Sequence, residues 1–402
     1  MKAPLAALAL FAALSVTPAL ATELFDACAA QAASTFEPGY EGVGPVGAGR
    51  FYAYEAIDAC RPALAEDPSN IQLMAWLGFA YAADNQPANA LPLLEPAAAA
   101  GNVVAQTSLG DLLILGKGAA RDPARGMALL HAAAEAGFAP AALSLGYSYD
   151  YGDAVAPDLG AAVGWYTQAA EAGIVRAQII LARLYSEGRG VAQSDSDAFA
   201  WLQRAAATND PEAQYLIGVA YLEGRGTDAD TGAALAAFQA SSDEYYARGM
   251  AALGYMTELG IGLEANPAEA AQLYMNARSS SLPIAKHNLA LLEQDGNGTD
   301  INLEEARQLY REAARAGELR SAVNLALMLI AGQGGPVDLD EALRWTTIAA
   351  KGGNAAGLNN LGRMHELGLG TAADADEARR LYGEAAALGY QPAIDNLARL
   401  GG

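Results

Sequence analysis

Cysteine, histidine and basic residues are scarce in this sequence of 402 residues. It holds two cysteines, three histidines and only 24 lysines and arginines against 46 acidic residues, for a net charge of −22. Binding to nucleic acid or to an anionic membrane surface depends on clusters of lysine and arginine. The composition therefore argues against both of these functions, whereas cationic partners remain compatible with it.

Residues that are typical of catalytic or metal sites are scattered along the chain. His131, His287 and His365 lie at least 78 residues apart, and the two cysteines are not a C-x-x-C pair. We find no G-x-S-x-G elbow, no H-E-x-x-H motif and no P-loop. The sequence therefore predicts no catalytic residue, no metal site and no cofactor.

Long apolar runs are also missing, except close to the first residue. Lys2 precedes the apolar run Leu5–Val16, which is too short to span a bilayer, and Ala19–Ala21 has the A-x-A pattern of a cleavage site. A positive residue, an apolar run and small residues are the parts of a signal peptide. We therefore predict that residues 1–21 are removed near Ala21, and that the protein is periplasmic or secreted with no membrane span.

Both cysteines lie in residues 22–67, which we predict to form an N-terminal cap of helices and a glycine-rich loop. In an exported chain, two cysteines and no others favour one disulfide, here between Cys28 and Cys60. Closing about 33 residues, it would stabilise the fold by roughly 3–4 kcal/mol in the chain-entropy model. A lipid anchor on Cys28 is a weaker alternative, because this residue lies too far beyond the apolar run.

A period of 36 residues organises most of the remaining chain. One position holds leucine or isoleucine in every copy, and the next position holds glycine or alanine. The former residues are Leu109, Leu145, Leu181, Ile217, Leu253, Leu289, Leu325, Leu361 and Leu397. A glycine turn recurs with the same period at Gly116, Gly152, Gly188, Gly224, Gly260, Gly296, Gly332 and Gly368. Such a period indicates a solenoid, in which each pair of helices buries its apolar face against its neighbours.

The second half of each copy has the pattern of an amphipathic helix with an N-terminal cap. An aspartate or asparagine at one repeat position is expected to cap this helix through its side-chain oxygen. These residues are Asp122, Asp158, Asp230, Asn266, Asn302, Asp338 and Asp374. Bulky pairs such as Trp165–Tyr166 and Trp201–Leu202 follow at helical spacing, and we expect them, including Trp201, to fill the space between helices.

Residues 176–210 show the whole pattern most completely. The matching residues are Ala177, Leu181, Tyr185, Gly188–Val191, Ala198, Trp201 and Ala205–Ala206. This pattern resembles the Sel-one-like repeat of exported bacterial proteins, a relative of the tetratricopeptide repeat, over roughly residues 105–400. The resemblance implies an all-α fold, a right-handed α-solenoid of helix-turn-helix repeats with a 36-residue period. It also implies a protein that binds other proteins and carries no catalytic residues of its own.

The repeats at the two ends of the array differ from the others. We expect an atypical tetratricopeptide-like repeat over 68–104, eight Sel-one-like repeats over 105–392 and a capping helix over 393–402. Terminal repeats are commonly atypical because they close the array. Three central repeats depart from the pattern as well, since the expected glycine is replaced by Asn209, Tyr245 and Ser281. These replacements favour either a local kink or neutral drift.

Two glycine-containing segments resemble ligand loops only superficially. Asp295–Asp300 is rich in acidic and amide residues, but Asp300 stands where an EF-hand requires glycine. Gly188–Gly190 follows a predicted helix, whereas a dinucleotide-binding loop follows a strand. Both segments coincide with the glycine turn of the repeat, which explains them without a ligand.

The first helices carry the candidate binding surface, because in tetratricopeptide-like arrays they line the concave face. We consider two repeat positions, the residue after the small one and the residue three before it. The candidate partner-binding residues at these positions are Tyr147, Arg183, Tyr215, Tyr255, His287, Asn359 and Arg363. Tyrosine and arginine often carry interface energy. We expect a partner segment to run along this face, although each residue alone is equally compatible with ordinary packing.

The sequence thus predicts an exported, non-enzymatic scaffold that mediates protein–protein interaction in the cell envelope, as an adaptor or regulator. The partner would be another protein or a peptide segment. A glycan- or peptidoglycan-binding protein is the alternative, with tyrosines and acidic groups as the contacts. A cell-wall-active hydrolase is a weaker alternative, because no serine–lysine motif is present and no cysteine follows Ala105.

Overall fold

A computed structural model describes residues 18–41, 43–44, 51–278 and 282–401 of the chain. Within these ranges the chain forms 21 helices and no strand, so the predicted all-α fold is confirmed. Most of the predicted signal peptide, residues 1–17, lies outside the described residues. The first helix begins at Pro18, and the predicted cleavage site near Ala21 falls in its first turn.

The helices are numbered in chain order. Their bounds are α1 Pro18–Ala32, α2 Ala53–Glu66, α3 Ile71–Ala83, α4 Pro87–Ala99, α5 Val103–Leu115, α6 Pro123–Glu135, α7 Ala139–Tyr151, α8 Leu159–Glu171, α9 Val175–Glu187, α10 Asp195–Ala206, α11 Pro211–Glu223, α12 Thr231–Asp243, α13 Ala247–Leu259, α14 Pro267–Ala277, α15 Pro283–Asp295, α16 Leu303–Arg315, α17 Leu319–Ala331, α18 Leu339–Lys351, α19 Ala355–Leu367, α20 Ala375–Ala387 and α21 Gln391–Arg399.

The helices form consecutive antiparallel pairs, with an odd-numbered first helix and an even-numbered second helix in each. From α1 to α9 and from α11 to α21, helices that follow one another in the chain pack together, and some first helices also contact each other, as α3 and α5 or α11 and α13 do. This is the arrangement of an α-solenoid. The chain divides into two compact units, one ending at Arg204 and one beginning at Ala205.

The local signals in the sequence account for the helix ends. All seven predicted caps accept a hydrogen bond from a backbone N–H in the first turn of their helix, as Asp338 does from Glu341 at 2.8 Å. The glycine that ends each first helix adopts left-handed backbone angles, with φ from +65° at Gly116 to +71° at Gly152. Since L side chains rarely adopt such angles, glycine fixes this turn in every repeat.

A second glycine position brings the two helices of a pair into close contact. A Cβ atom on Gly146 would lie 2.5 Å from the ring of Tyr166, and one on Gly218 would lie 2.6 Å from the ring of Phe238. In each of these pairs, a fully buried ring of the second helix lies over the glycine. Trp201, predicted to be buried, is only half-buried, and the guanidinium of Arg204 lies 4.6 Å from its ring centroid.

The N-terminal helices surround one large buried side chain, Trp76. Its ring contacts Phe25 and Tyr40, and its indole N–H donates to the Glu37 carboxylate at 2.9 Å. Burial raises the pKa of Glu37, which is only 2% exposed. Cys28 and Cys60 are joined by a disulfide in the same cluster and are fully buried.

Candidate functional site

The second unit contains a groove of about 440 Å³ on its first helices, α11, α13, α15 and α17. Its lining combines two arginines, two tyrosines, an asparagine and several aliphatic side chains. The lining includes Tyr215, Arg248, Tyr255, Ile284, Asn288 and Arg320. Concave sites with an apolar lining and a few polar groups are where ligands usually bind.

The repeat places these side chains on one face of each helix. On α13 the lining residues are Arg248, Ala251, Ala252 and Tyr255, which follow the spacing i, i+3, i+4, i+7. Residues at this spacing lie along one side of an α-helix. Because alanine fills the two middle positions, the larger side chains at the ends of the row border an open space.

Aromatic rings form one wall of the groove. The ring of Tyr215 lies 6.0 Å from that of Phe238 and 5.9 Å from that of Tyr246, measured between centroids. Tyr255 is 47% exposed, so its ring presents an amphipathic surface to solvent. Ring pairs at these distances favour a fixed orientation. The groove thus has a supported aromatic wall and a solvent-facing tyrosine.

The two arginines are the charged residues among those that line the groove. Arg320 donates from Nε and Nη2 to the two carboxylate oxygens of Glu318, at 3.0 and 3.2 Å, and its side chain remains 57% exposed. Arg248 is exposed and forms no hydrogen bond or ion pair with the part of the chain that the structure describes. The guanidinium of Arg320 is therefore held in one orientation by Glu318, and that of Arg248 is available to bind a ligand.

Asn288 connects the groove to the helix pair behind it. Its side chain lies close to the hydroxyl of Tyr274, which donates to Glu258 Oε2 at 2.8 Å. Tyr274 is fully buried under the first helices. The amide of Asn288 has hydrogen-bonding capacity toward the groove that it lines, since a primary amide can form up to four hydrogen bonds.

Two of the predicted candidate residues, Tyr215 and Tyr255, line this groove together. His287 lies on α15 in the same unit but is only 4% exposed, and its Nδ1 is 2.8 Å from the Ser321 hydroxyl. Burial, together with the positive charge of Arg320, lowers the pKa of His287 to about 4. Direct contact between His287 and a partner remains a prediction, and its burial argues against it.

Asn359 and Arg363 lie one turn apart on α19 but differ in exposure. Asn359 is 6% exposed and accepts a hydrogen bond from the Asn396 amide at 2.9 Å, so it holds α21 against α19. Arg363 is exposed and lies near the carboxylate of Glu366. Of these two predicted residues, only Arg363 is accessible to a partner without a rearrangement.

Tyr147 and Arg183 belong to the first unit. Tyr147 is half-buried, its ring stacks on that of Tyr151 at 6.0 Å, and its hydroxyl lies 3.5 Å from Nε of Arg176. Arg183 is exposed on α9. The predicted row from Arg183 to Arg363 extends over both units and remains a prediction.

The first unit has a smaller groove of about 190 Å³ at the same face of α5 and α7. Its lining is mostly apolar, and Asp111 is its one ionisable residue. Asp111 accepts a hydrogen bond from the Ser144 hydroxyl at 3.1 Å. Burial raises the pKa of Asp111 to about 7, and the charge of Asp153 adds to this effect. The two units therefore present grooves of different charge.

Sequence reasoning did not identify Arg248, Asn288 and Arg320. It considered two repeat positions of the first helices, whereas the helical residues that line the groove occupy four repeat positions. The repeat period could have identified the two arginines, because Arg248 and Arg320 are 72 residues apart and so share one repeat position. Helical periodicity places that position one turn before the position of Tyr215.

In the described parts of the chain, no group of three or more histidine, cysteine, aspartate and glutamate side chains could hold a metal ion. None of the helices in the described ranges combines the length and the apolar character that crossing a membrane requires.

The chain is similar to known repeat proteins. The Sel1 repeat family model matches 103–138, 139–174, 175–210, 211–242, 247–275, 283–318, 319–354 and 355–390. The structure of c5321, a protective antigen of uropathogenic Escherichia coli with an SLR fold, is 25% identical, with a TM-score of 0.58 over 87% of this chain and 83% of that one. A Sel1 repeat protein from Oxalobacter formigenes is 27% identical, with a TM-score of 0.61 over 77% of this chain and 90% of that one.

No curated protein matches the sequence significantly. The two shortened family matches, 211–242 and 247–275, fall on the central repeats in which the sequence departs from the common pattern. Sel1 repeat proteins are generally scaffolds for protein–protein interaction and are generally non-catalytic. Because eight matches cover more than half of the residues and both solved relatives share the fold, the chain belongs to the Sel1 repeat family.

Proposed function

We propose that this protein is an exported scaffold of the cell envelope that binds a partner protein through the first-helix face of its second unit. The observation that carries the proposal is the groove in which Tyr215, Tyr255, Arg248 and Arg320 come together. Interface hot spots are enriched in tyrosine and arginine. The scaffold role of the family supports the same conclusion.

Export is part of the proposal and is supported by two features. The sequence begins with a pattern of signal-peptide type, and the disulfide between Cys28 and Cys60 suits an oxidising compartment. Fractionation of the source cells, followed by mass spectrometry of the N-terminal peptide, tests this. A periplasmic or secreted protein that starts near Thr22 is expected, whereas cytosolic protein that retains Met1 would contradict export.

The binding proposal is tested by affinity capture from envelope extract with the full chain and two variants. Tyr215→Ala with Tyr255→Ala removes the aromatic contacts of the groove. Gln272→Ala with Gln308→Ala is the matched control, because both glutamines are exposed on second helices of the same unit. We expect a stoichiometric partner to be captured by the parent and by the control, and to be lost with the tyrosine variant.

Three outcomes decide between the candidate functions. Loss of the partner only with the tyrosine variant supports a scaffold that uses the groove. Loss only with the glutamine variant would place binding on the second helices. Retention on purified peptidoglycan, without any protein partner, would favour the glycan-binding alternative instead. Melting curves of all variants check that the fold is retained.

A further inference from the structure

We propose that the groove of the second unit binds an acidic segment of the partner protein, in which carboxylate groups flank an apolar side chain in an extended backbone. The inference rests on the proposed scaffold function and specifies the chemistry of what is bound.

Charge is the first step. Acidic residues outnumber basic ones by 46 to 24 in the whole sequence, yet the charged side chains that line this groove are two arginines, Arg248 and Arg320. No carboxylate is among the residues that line it. Because Arg320 is paired with Glu318, Arg248 supplies the unpaired positive charge of this groove, in a protein whose net charge is −22. Electrostatic complementarity therefore selects acidic ligands and disfavours basic ones.

The guanidinium groups suit carboxylates in their geometry as well. Arginine presents its N–H donors in a planar fork that matches the two oxygens of a carboxylate. Glu318 occupies one edge of the Arg320 fork, through Nε and Nη2, and thereby fixes the orientation of the group. Arg248 lacks an ion-pair partner in the described part of the chain, so its whole fork is open to a ligand.

An apolar contact lies between the two charges. Ile284 is half-buried on α15, between α13 with Arg248 and α17 with Arg320 in chain order. The ring of Tyr255 is 47% exposed beside it in the same groove. An aliphatic side chain of a ligand that is buried here would be removed from water, which favours binding. This arrangement favours an acidic–apolar–acidic pattern over a purely acidic run.

The groove also offers a polar group to the backbone of a ligand. An α-helix pairs its backbone N–H and C=O groups internally, whereas an extended segment leaves them free. The side-chain amide of Asn288, which lines the groove, can donate to and accept from such groups, and this favours an extended segment.

The first unit offers an internal comparison at the same repeat positions. Its groove is lined by Asp111 and has no arginine or lysine. The two grooves therefore have equivalent positions in their repeats, but one is lined by two arginines and the other by a single carboxyl group. An acidic ligand is expected to discriminate between them, and this makes the inference specific to α11–α17.

The test is a selection of random twelve-residue peptides, displayed on phage, against the full chain. We compare the parent with Arg248→Ala and Arg320→Ala combined. The matched control combines Arg315→Ala with Arg344→Ala, since both residues are exposed on second helices of the same unit. The two double variants have the same net charge, so a general charge effect would change them equally.

We expect peptides selected by the parent to contain at least about twice the Asp and Glu of the input library. This enrichment should disappear with Arg248→Ala and Arg320→Ala and persist in the control. For a selected peptide, fluorescence anisotropy should give a Kd at least about tenfold weaker with the groove variant, and within about twofold of the parent with the control. The Kd of the parent should rise with salt, because exposed ion pairs are screened.

Other outcomes overturn the inference. Selected peptides without acidic enrichment, or acidic peptides that bind the groove variant as tightly as the parent, would show that the arginines do not set the specificity. In either case the scaffold function itself would stand, because peptides are still bound. If the parent selects no peptide and captures no envelope protein, both the inference and the proposed function fail. Circular dichroism and melting curves show whether each variant is folded.

Discussion

Tyr245 has backbone angles that tyrosine rarely adopts. Its φ is +57°, and its side chain is 81% exposed, so little packing compensates the strain. The same position, just after the second helix, is a glycine with positive φ in the regular repeats: Gly101, Gly137, Gly173, Gly317, Gly353 and Gly389. The chain therefore keeps the geometry of the turn in this repeat although the residue type that favours it is missing.

Replacing Tyr245 with glycine should stabilise the protein by about 0.5–1 kcal/mol. Relief of the left-handed conformation gains about 1–2 kcal/mol, and the added freedom of glycine in the unfolded state returns part of it. Asn209→Gly is the control at the equivalent position, where φ is +59°, and should have a smaller effect because asparagine tolerates these angles. Urea unfolding measures both. A destabilised Tyr245→Gly would mean that the exposed ring makes stabilising contacts.

Asp111 links stability to pH. Its folded pKa of about 7 lies above the usual value of 3.8, so between these values the folded state binds more protons than the unfolded state. The contribution of Asp111 to stability is therefore present below pH 4 and lost as the pH rises to about 7. Asp111→Asn keeps an acceptor for Ser144 and removes the charge.

We expect Asp111→Asn to gain stability relative to the parent as the pH rises from 4 to 7, by on the order of 1–3 kcal/mol in total. Other carboxylates contribute to the parent curve, so the difference between the two curves is the measured quantity. Asp228→Asn, which removes one carboxyl group at an exposed position, is the matched control for the change of charge. A flat difference for Asp111→Asn would show that this carboxyl titrates in the same way in the folded and unfolded protein.

Within a helix pair, the buried tyrosine of the second helix has a hydrogen-bond acceptor 16 residues earlier, on the first helix. The four pairs are Tyr166 with Asp150, Tyr274 with Glu258, Tyr310 with Gln294 and Tyr382 with Glu366, at 3.3, 2.8, 3.0 and 2.8 Å. In the repeats without this tyrosine, the two positions hold Ile114 and Leu130, Ser186 and Leu202, Leu222 and Phe238, or Ile330 and Thr346. A polar residue occurs at the first-helix position in each repeat that has the buried tyrosine, because burying a hydroxyl without a hydrogen-bond partner destabilises the fold.

A double-mutant cycle on Glu258 and Tyr274 should show coupling of about 1–2 kcal/mol. Glu258→Leu alone leaves the Tyr274 hydroxyl without its acceptor, and Tyr274→Phe alone leaves the carboxylate without its donor. The double variant reproduces the Leu222 and Phe238 pair of the preceding repeat, so it should be more stable than the sum of the single effects predicts. Additive effects would mean that the hydrogen bond contributes no net stability.

The ends of the helices could be predicted from the sequence because they depend on local chemistry. Asp374 caps α20, and Gly368 ends α19, for reasons that lie within a few residues of each. Which member of a bulky pair is buried could not be predicted, because Trp165 and Tyr166 both have large apolar surfaces. Only the packing of α7 on α8 decides that Tyr166 lies over Gly146.

The candidate groove was only partly predictable for a similar reason. Tyr215 and Tyr255 were identified because repeat position indicates a helix face. The burial of His287 depends on Ser321 in the next repeat, and the hydrogen bonds of Asn359 depend on Asn396, also in the next repeat. Periodicity shows which residues share a face, whereas exposure depends on how closely the neighbouring first helices approach.

At the scale of the whole molecule, from α1 to α9 and from α11 to α21, each helix packs on its neighbours in sequence. Stability in such an array is approximately the sum of the repeats and of the interfaces between neighbours. A local change therefore acts first on the adjacent repeats, and its effect decreases along the array. Hydrogen exchange can resolve this, because it measures local as well as global unfolding.

The disulfide between Cys28 and Cys60 allows a test of this locality. It closes a loop with a sequence separation of 32 residues and holds α1 against α2. In the chain-entropy model, removing it with Cys28→Ala and Cys60→Ala costs about 3–4 kcal/mol. We expect α1–α3 to lose hydrogen-exchange protection, while α19–α21 in the other unit remain as protected as in the parent.

The parent in a reducing agent should behave in the same way, and mass spectrometry of alkylated protein confirms the redox state. Equal loss of protection in α19–α21 would show that the chain unfolds as one cooperative body, against the local behaviour expected of a solenoid.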